Sequence, residues 1–295
     1  MSEKIALVGA GAMGGAIGAR LLETGNSLKV FDLDADRVAD MVALGAVAAP
    51  TAADAARDVD FVITSLNASR IVGLAAFGKD GIVEGAAPGT VIIDMSSIEP
   101  DATRKFAKMA AERGLAWVDS PLSGGAPKAL LGELTLMAGG APEDVDRAHV
   151  ALKHVASNYT HMGPSGAGQT TKLINQVLCG LGFLAVAEAT QLALDAGVDA
   201  EKIPLALKGG RADSALLQEY LPRFATKDYR RTGRIDNMVK DLNAVNDLAR
   251  QTGTSMPMTA LCAEIHRMLT AAGLGGEDQA AVMEFFKGAQ EEITA

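Results

Sequence analysis

Cysteines, aromatic residues and positively charged segments are all scarce in this 295-residue chain. Its two cysteines, Cys179 and Cys262, lie in apolar patterns of helical spacing, which suits reduced thiols in the cytoplasm. Aromatic residues make up 4% of the chain and the formal net charge is −9, so a nucleic-acid partner is not expected. The four histidines show no ligand spacing, and we therefore expect no metal site.

Targeting and membrane-spanning segments are not expected either. Met1-Ser2-Glu3-Lys4 leads directly into a predicted strand, which leaves no room for a signal peptide. We expect no apolar run to be long and clean enough to span a bilayer, and therefore no membrane partner. The length favours two domains, and 48% hydrophobic with 21% charged residues is the balance of a soluble globular protein.

A glycine-rich turn stands near the amino terminus, between an apolar run at residues 5–8 and an apolar helical pattern. Its sequence is Gly9-Ala10-Gly11-Ala12-Met13-Gly14, and a G-x-G-x-x-G turn in this context indicates dinucleotide binding. The first glycine permits the tight turn, the second lets the backbone approach a pyrophosphate, and the third lets helix and strand pack closely. The helix start then offers N–H groups to the phosphates.

Asp32 follows the second predicted strand, residues 28–31. A carboxylate at this place can accept hydrogen bonds from both ribose hydroxyls of an adenosine and repels a 2′-phosphate. Arg37 comes only after two further aspartates, Asp34 and Asp36. We therefore expect NAD as the cofactor, with NADP less favoured; Asp32 also suits a turn, and one residue could serve both purposes.

Further apolar strands at residues 61–64, 91–94 and 116–119 alternate with helical patterns, which predicts an α/β fold with a mostly parallel, doubly wound sheet. Such sheets bind ligands at the carboxyl ends of their strands. Three polar segments stand there, Ser65-Leu66-Asn67, Met95-Ser96-Ser97 and the run from Ser120 to Gly125. Residues of these types are also common in turns. Because all three segments lie at the same edge of the sheet as the dinucleotide loop, together they predict the wall of a binding site.

Ser123-Gly124-Gly125 is the sharpest of these segments, since consecutive backbone N–H groups and one hydroxyl form a nest suited to a carboxylate. Another strand is expected at residues 134–138, and the dinucleotide-binding domain is expected to span residues 1–163.

Residues 163–175 form a second glycine-rich stretch that runs into a long apolar helix expected from Ser165 to Asp195. Lys172 and Asn175 are three residues apart, so they point the same way on that helix. A lysine against apolar surface has its pKa lowered toward values useful for proton transfer; the alternative is a lysine that extends along the helix to water. Residues 164–295 read as all-helical, expected to cap the cleft and to supply oligomer surface.

Four motifs together resemble those of the β-hydroxyacid dehydrogenases. The loop at residues 9–14 is similar to the family's G-x-G-x-M-G, and Asp119-Ser120-Pro121-Leu122-Ser123-Gly124-Gly125 is similar to D-A-P-V-S-G-G, with Ser for Ala and Leu for Val. Residues 163–175 resemble the catalytic signature G-x-x-G-x-G-x-x-x-K-x-x-N, and Lys240-Asp241-Leu242 resembles a K-D-L whose lysine reaches toward the cofactor.

The resemblance implies a Rossmann-type domain followed by a helical one, and an NAD-dependent dehydrogenase of a small β-hydroxy acid such as 3-hydroxyisobutyrate, glycerate from tartronate semialdehyde, or 2-(hydroxymethyl)glutarate. Lys172 would be the catalytic acid/base and Asn175 its partner. A homodimer or homotetramer is expected. The implied substrate-binding residues are Ser97, Ser123, Gly124 and Gly125, and the implied cofactor-binding residues are Gly9, Ala10, Gly11, Ala12, Met13, Gly14, Asp32, Leu66, Asn67, Ser97 and Lys240.

This chain departs from the family pattern at Asn67, where a proline is usual, and at Ser97, where a threonine is usual. One alternative function is an imine reductase of the same architecture, but those enzymes usually replace the lysine. A non-catalytic NAD-binding module is another, and it should lack Lys172 or Asn175. Arg211 and the basic loop around Arg230–Arg234 fit either surface positions or ligand contacts.

Overall fold

The computed structural model describes residues 3–287. The chain divides into two compact units, of which the first ends at Lys172 and the second begins at Leu173. This division falls inside one helix, Ala167–Asp195. The predicted domain boundary after residue 163 stays a prediction.

The first unit is built from strands and helices that alternate along the chain. Its strands are β1 (Lys4–Val8), β2 (Ser27–Phe31), β3 (Val47–Ala48), β4 (Phe61–Thr64), β5 (Val91–Asp94), β6 (Ala116–Asp119), β7 (Leu122–Ser123), β8 (Leu134–Gly139) and β9 (Ala156–Gly163). Its helices are α1 (Ala12–Glu23), α2 (Ala35–Ala43), α3 (Ala52–Ala56), α4 (Ser69–Phe77), α5 (Ile82–Gly85), α6 (Pro100–Ala111), α7 (Gly125–Leu131), α8 (Pro142–Leu152) and the start of α9 (Ala167–Asp195).

These strands form one sheet in the order β3-β2-β1-β4-β5-β6-β8-β7, with β9 beside β8. Strands β1 to β6 pair in parallel, whereas β8 runs antiparallel to β6 and β7. The predicted α/β class and the mostly parallel sheet are confirmed. Three strands escaped prediction: β3 and β7 have only two residues each, and β9 is largely exposed and polar, so none shows a buried apolar run.

Side chains of the central strands are buried on both faces of the sheet. In β1, Ile5 and Leu7 belong to one apolar cluster while Ala6 and Val8 belong to another. Helices covering both faces of a parallel sheet leave no solvent-facing side, which explains the unbroken apolar runs in the sequence. In β1, β4, β5 and β6 the polar residues are therefore confined to the strand ends.

The second unit is helical throughout its described residues, as predicted. After α9 come α10 (Ile203–Leu207), α11 (Ala215–Thr226), α12 (Ile235–Thr252), α13 (Pro257–Leu269) and α14 (Met283–Phe286). Short 3-10 turns at Ala200–Lys202 and Gln279–Val282 and a π-type turn at Thr270–Leu274 complete it. Its own core is built around residues such as Phe224, Leu242 and Cys262, so each unit has a separate core.

Helix α9 has 29 residues and a mean hydropathy of 1.7 over its most apolar window, which is long and apolar enough to cross a membrane by those two measures alone. The expectation that no apolar run is long and clean enough to span a bilayer is therefore wrong by length and composition. A core helix of a soluble protein passes the same test, and a single helix of this kind is weak evidence for a membrane protein.

Candidate active site

The first glycine-rich loop has the geometry that a dinucleotide requires. Gly9 has a φ of 96°, and a Cβ on it would lie 2.5 Å from the carbonyl oxygen of Ser65. A Cβ on Gly14 would lie 2.0 Å from the carbonyl oxygen of Gly9. A Cβ on Gly11 would have Nη1 of Arg37 as its nearest neighbour, 3.7 Å away. The outer two glycines thus serve the fold, while the middle one leaves room for a ligand at the start of α1.

Asp32 ties this loop to the end of β2. Its carboxylate accepts hydrogen bonds from the backbone N–H of Ala10 at 2.7 Å and of Asp34 at 2.9 Å. The carboxylate therefore has the turn function considered above and also lies beside the glycine loop. Nη1 of Arg37 is 3.8 Å from Asp32, and Nε of Arg37 is 3.1 Å from Asp34.

Arg37 is closer to the glycine loop than its place in the sequence suggested. It lines a cavity of about 440 Å³ together with Gly11, Ala12 and residues of α1 and α7. Both of its neighbours in that corner, Asp32 and Asp34, carry negative charge and already engage its guanidinium. The corner thus combines a carboxylate suited to a ribose with an arginine that is paired with two carboxylates.

A hydrogen bond to Ser96 joins the loops after β4 and β5. Ser96 stands in one of the polar segments of the sequence but had no predicted role. Oγ of Ser96 accepts a hydrogen bond from the N–H of Leu66 at 2.9 Å. Leu66 itself lies next to Gly9, since its Cδ2 is 2.8 Å from a Cβ built there. Asn67 is exposed and Ser97 is half-buried in the same two loops. Met13, by contrast, packs against the core of the first unit.

Ser123, Gly124 and Gly125 lie where β7 ends and α7 begins. Ser123 pairs with Thr135 of β8, and Gly124 and Gly125 have φ values of 124° and 74°. Backbone N–H groups in the first turn of a helix have no acceptor within that helix. Gly124 is the amino-terminal cap and Gly125 is the first helical residue. Carboxylate binding at this nest stays a prediction.

Lys172 and Asn175 both lie half-buried on α9, three residues apart on one face. The side-chain amide of Asn175 donates to Oε1 of Gln176 at 2.9 Å. Gln176 in turn donates to Oδ2 of Asp241 at 2.6 Å, and Nζ of Lys240 lies 3.4 Å from Oδ1 of Asp241. This chain of contacts joins Asn175 to Lys240 of α12. The sequence offered no signal for Gln176, and it offered Asp241 only as the middle letter of K-D-L.

The basic residues proposed as further ligand contacts are on the surface. Arg211 is exposed, Arg230 pairs with Asp228, and Arg234 pairs with Asp236. Their loop is held from within by buried Asp278, which accepts hydrogen bonds from the N–H groups of residues 232 and 233. A ligand role for these arginines stays a prediction.

Two buried carboxylates, Asp94 and Asp119, stand side by side at the ends of β5 and β6, where they are register partners. Oδ1 of Asp94 accepts hydrogen bonds from Thr64 at 2.8 Å and from the N–H of Ser96 at 3.0 Å. Its Oδ2 is buried and has no hydrogen-bond partner within residues 3–287. Burial raises the pKa of Asp94 to about 6.

Comparison with known proteins matches the chain to two family models, one for each part. Residues 4–163 match the family model described as the NAD-binding domain of 6-phosphogluconate dehydrogenase. Residues 166–286 match the model described as NAD-binding of NADP-dependent 3-hydroxyisobutyrate dehydrogenase. An NAD-dependent L-serine dehydrogenase from Pseudomonas aeruginosa is 34% identical over 98% of this chain and 99% of that one.

A further relative, 2-(hydroxymethyl)glutarate dehydrogenase from Eubacterium barkeri, is 33% identical over 97% of this chain and 95% of that one. This chain belongs to the β-hydroxyacid dehydrogenase family. It is an NAD-dependent dehydrogenase that acts on a CH–OH group, as its motifs implied. The solved 3-hydroxyisobutyrate dehydrogenase of Mycobacterium tuberculosis, studied with L-serine, has a TM-score of 0.88 at 27% identity and covers 98% of this chain and 100% of its own.

Imine reductases also share the architecture. One from a Pseudomonas species has a TM-score of 0.64 at 21% identity and covers 97% of this chain. Identity at that level shows the fold alone. Among the described residues no group of three or more histidine, cysteine or acidic side chains could hold a metal ion.

Replacing Asp32 by alanine should weaken the preference of this dehydrogenase for NAD over NADP. The change removes the carboxylate suited to the ribose and releases Arg37 to meet a 2′-phosphate. We expect kcat/KM with NAD to fall about 10- to 100-fold and the NADP/NAD ratio to rise, since a lost charge-assisted hydrogen bond contributes about 1.5–3 kcal/mol. Asp36→Ala, with the same change of charge on α2, is the control. An unchanged cofactor ratio in Asp32→Ala would contradict this assignment.

Replacing Asp94 by asparagine should stabilise the protein above pH 6. Between about pH 4 and pH 6 the folded carboxyl holds a proton that the unfolded one has released, so the wild type loses stability as the pH rises through this range. The asparagine variant does not lose stability in this way, because its side-chain amide stays neutral. A gain of about 3 kcal/mol is expected at pH 8, shrinking to nothing below pH 4, because each unit of pKa shift corresponds to about 1.4 kcal/mol.

Melting temperatures of Asp94→Asn and wild type, measured across this pH range, check the expectation. Glu112→Gln, an exposed carboxyl change on the same unit, serves as the control. A stability difference that does not vary with pH would argue against a raised pKa at Asp94.

Proposed function

We propose that Lys172 exchanges the hydroxyl proton of the substrate while the carbinol carbon gives up or receives a hydride. The observation that carries this assignment is the anchoring of α9. Its first turn is hydrogen-bonded to the ends of β5 and β6, and the glycine loop occupies the same edge of that sheet. Lys172 therefore extends from an element fixed at the edge where the dinucleotide binds.

Bound NAD supplies the hydride acceptor at nicotinamide C4. In the oxidation direction, the O–H bond of the substrate breaks and its proton passes to Nζ of Lys172, while the C–H electron pair leaves as hydride and a carbonyl forms. Asn175, one helical turn later, fixes the lysine and the substrate hydroxyl through its amide. Lys240 would help to hold the cofactor, and its pairing with Asp241 restricts the positions of the lysine side chain.

The substrate class we propose is a small acid of the form HOCH₂–CHR–COO⁻. Its carboxylate would be bound by the nest at Ser123, Gly124 and Gly125, with Ser97 as a further polar contact. L-serine and 2-(hydroxymethyl)glutarate, named for two relatives, both have this form. The shared hydroxymethyl next to the carboxyl-bearing carbon is the feature a dehydrogenase of this geometry needs, and R sets the choice among acids.

A panel of acids tests the proposal, each assayed with NAD and with NADP. L-serine, 3-hydroxyisobutyrate, glycerate and 2-(hydroxymethyl)glutarate have this form, whereas L-threonate, whose β-hydroxyl is secondary, lies outside it and should be oxidised less well. On the best substrate, Lys172→Ala should lower kcat about 10²–10⁴-fold, because general acid–base catalysis contributes that much. Cofactor affinity, measured separately by fluorescence titration, should stay within about threefold.

Lys105→Ala removes an exposed lysine of α6 and should leave kcat unchanged. Near-normal turnover by Lys172→Ala would remove the lysine from the mechanism. A chain that binds NAD but oxidises none of the acids would instead favour a binding module.

We also propose that two or more copies associate through one face of α9. Ile174, Leu178 and Leu192 are 55%, 69% and 70% exposed, and their spacing puts them on one stripe of the helix. A stripe of large exposed apolar side chains often marks an interaction surface.

The cytoplasmic location stays a prediction.

Light scattering after gel filtration tests the association. Leu178→Asp combined with Leu192→Asp should convert a wild-type dimer or tetramer to monomer, because each charge would be buried without a partner. Leu74→Asp, at an exposed position of α4 in the first unit, should leave the mass unchanged. A wild-type protein that is monomeric at assay concentration would overturn the proposed interface.

A further inference from the structure

The start of α9 is capped by a carboxylate that comes from the sheet. Asp119, the last residue of β6, is fully buried. Its Oδ1 accepts a hydrogen bond from the N–H of Gly166 at 2.8 Å, and its Oδ2 accepts one from the N–H of Gln169 at 3.0 Å. Both N–H groups belong to the helix start, where carboxylates are favoured by unpaired donors and by the helix dipole. A capping residue usually adjoins its helix, but this one is 47 and 50 residues away.

Two glycines show how closely the helix start approaches this carboxylate. A Cβ on Gly139 of β8 would lie 2.7 Å from both carboxylate oxygens of Asp119. A Cβ on Gly168 would lie 2.3 Å from the carbonyl oxygen of Met137 and 2.8 Å from Asp119. No side chain fits between the sheet and the helix at either point. The first turn of α9 is thus held against β6 and β8 by backbone contact.

The side chain of Gln169 adds a second fastening, to the loop after β5. It is 1% exposed; its Nε2 donates to the carbonyl oxygen of Ser96 at 2.8 Å, and its Oε1 accepts from the N–H of Ile98 at 3.2 Å. Both groups of the amide are therefore used. The loop held in this way contains Ser97 and is joined through Ser96 to Leu66, both of which we assign to the cofactor site.

Lys172 follows Gln169 by three residues, so the two are neighbours on the helix surface. A shift of the first turn would carry the lysine with it. In oriented reactions a displacement of about 1 Å can cost about 100-fold in rate. The fastenings at residues 119 and 169 therefore act on the element whose placement the proton transfer depends on.

We propose that Asp119 and Gln169 are positioning residues, which hold the first turn of α9 so that Lys172 is aligned with the cofactor loops. This inference rests on the proposed acid/base role of Lys172. Neither residue touches the substrate in this assignment. Both act through the lysine, so their substitution should lower kcat only in a protein that has Lys172. This dependence distinguishes a positioning residue from one that only stabilises the fold.

A double-mutant cycle measures this dependence. Asp119→Asn keeps one acceptor oxygen but turns an NH₂ group toward a backbone N–H, so one of the two capping bonds is lost. In the protein that has Lys172, we expect kcat to fall about 10- to 100-fold, with KM and the NAD dissociation constant within about threefold. In the Lys172→Ala background, assayed at high enzyme concentration, the same change should cost less than about threefold.

Asn26→Ala provides a matched control at the opposite end of the strands. Asn26 is also buried, at 7% exposure, and bridges two backbone groups, accepting from Glu3 and donating to Leu21. We expect this variant to melt at a lower temperature with little change in kcat. Should Asp119→Asn fail to fold, Gln169→Met, which removes both side-chain hydrogen bonds at similar volume, is put through the same cycle.

Equal losses of kcat in the two backgrounds, or a kcat unchanged by Asp119→Asn, would overturn the inference. A rise of tenfold or more in the NAD dissociation constant without a loss of kcat would overturn it as well. Failure of the acid/base role is a separate result, since it appears as near-normal turnover of Lys172→Ala alone. The two proposals can therefore fail independently.

Discussion

The pair of hydrogen bonds from the start of α9 to the carboxylate of Asp119 is the contact on which the rest of the candidate site depends. Each backbone N–H at a helix start needs an acceptor, and each buried carboxylate needs donors. Both requirements are met in the same place. Burial raises the pKa of Asp119 while these backbone donors oppose the rise. Helix and sheet are thus joined because the unpaired N–H groups of the helix start and the buried carboxylate of the sheet form hydrogen bonds with each other.

Asp94 shows what the same position looks like without such a partner. It is the register neighbour of Asp119 and equally buried, yet one of its oxygens has no hydrogen bond within the described residues. Two buried carboxylates next to each other disfavour double ionisation. The donors are unevenly shared, with two helix amides on Asp119 and with Thr64 and Ser96 on the same oxygen of Asp94. The sheet edge therefore holds one buried carboxylate with both oxygens hydrogen-bonded and one with a single hydrogen-bonded oxygen within the described residues.

Local patterns in the sequence were enough for the fold and for the motifs. The strand class, the glycine loop and the long helix each depend on neighbours within a few residues, so apolar runs and turn residues predicted them. β9 was missed because an exposed edge strand has no apolar run. Asp119 and Gln169 were missed as a pair because their contact depends on the register of β5, β6 and β8, which no spacing within one segment reveals. Where the site residues act remains a proposal drawn from the family motifs.

Arg37 illustrates a different limit and leads to a different kind of consequence. Its place after Asp32 and two further aspartates in the sequence weighed against a role with the cofactor, yet in the fold it pairs with Asp32 and Asp34 beside the glycine loop. The same guanidinium can pair with the carboxylates of Asp32 and Asp34 or with the 2′-phosphate of NADP. Divergence in this lineage can therefore exchange one cofactor pool for the other by adjusting the competing carboxylates, with the loop and the catalytic helix left untouched.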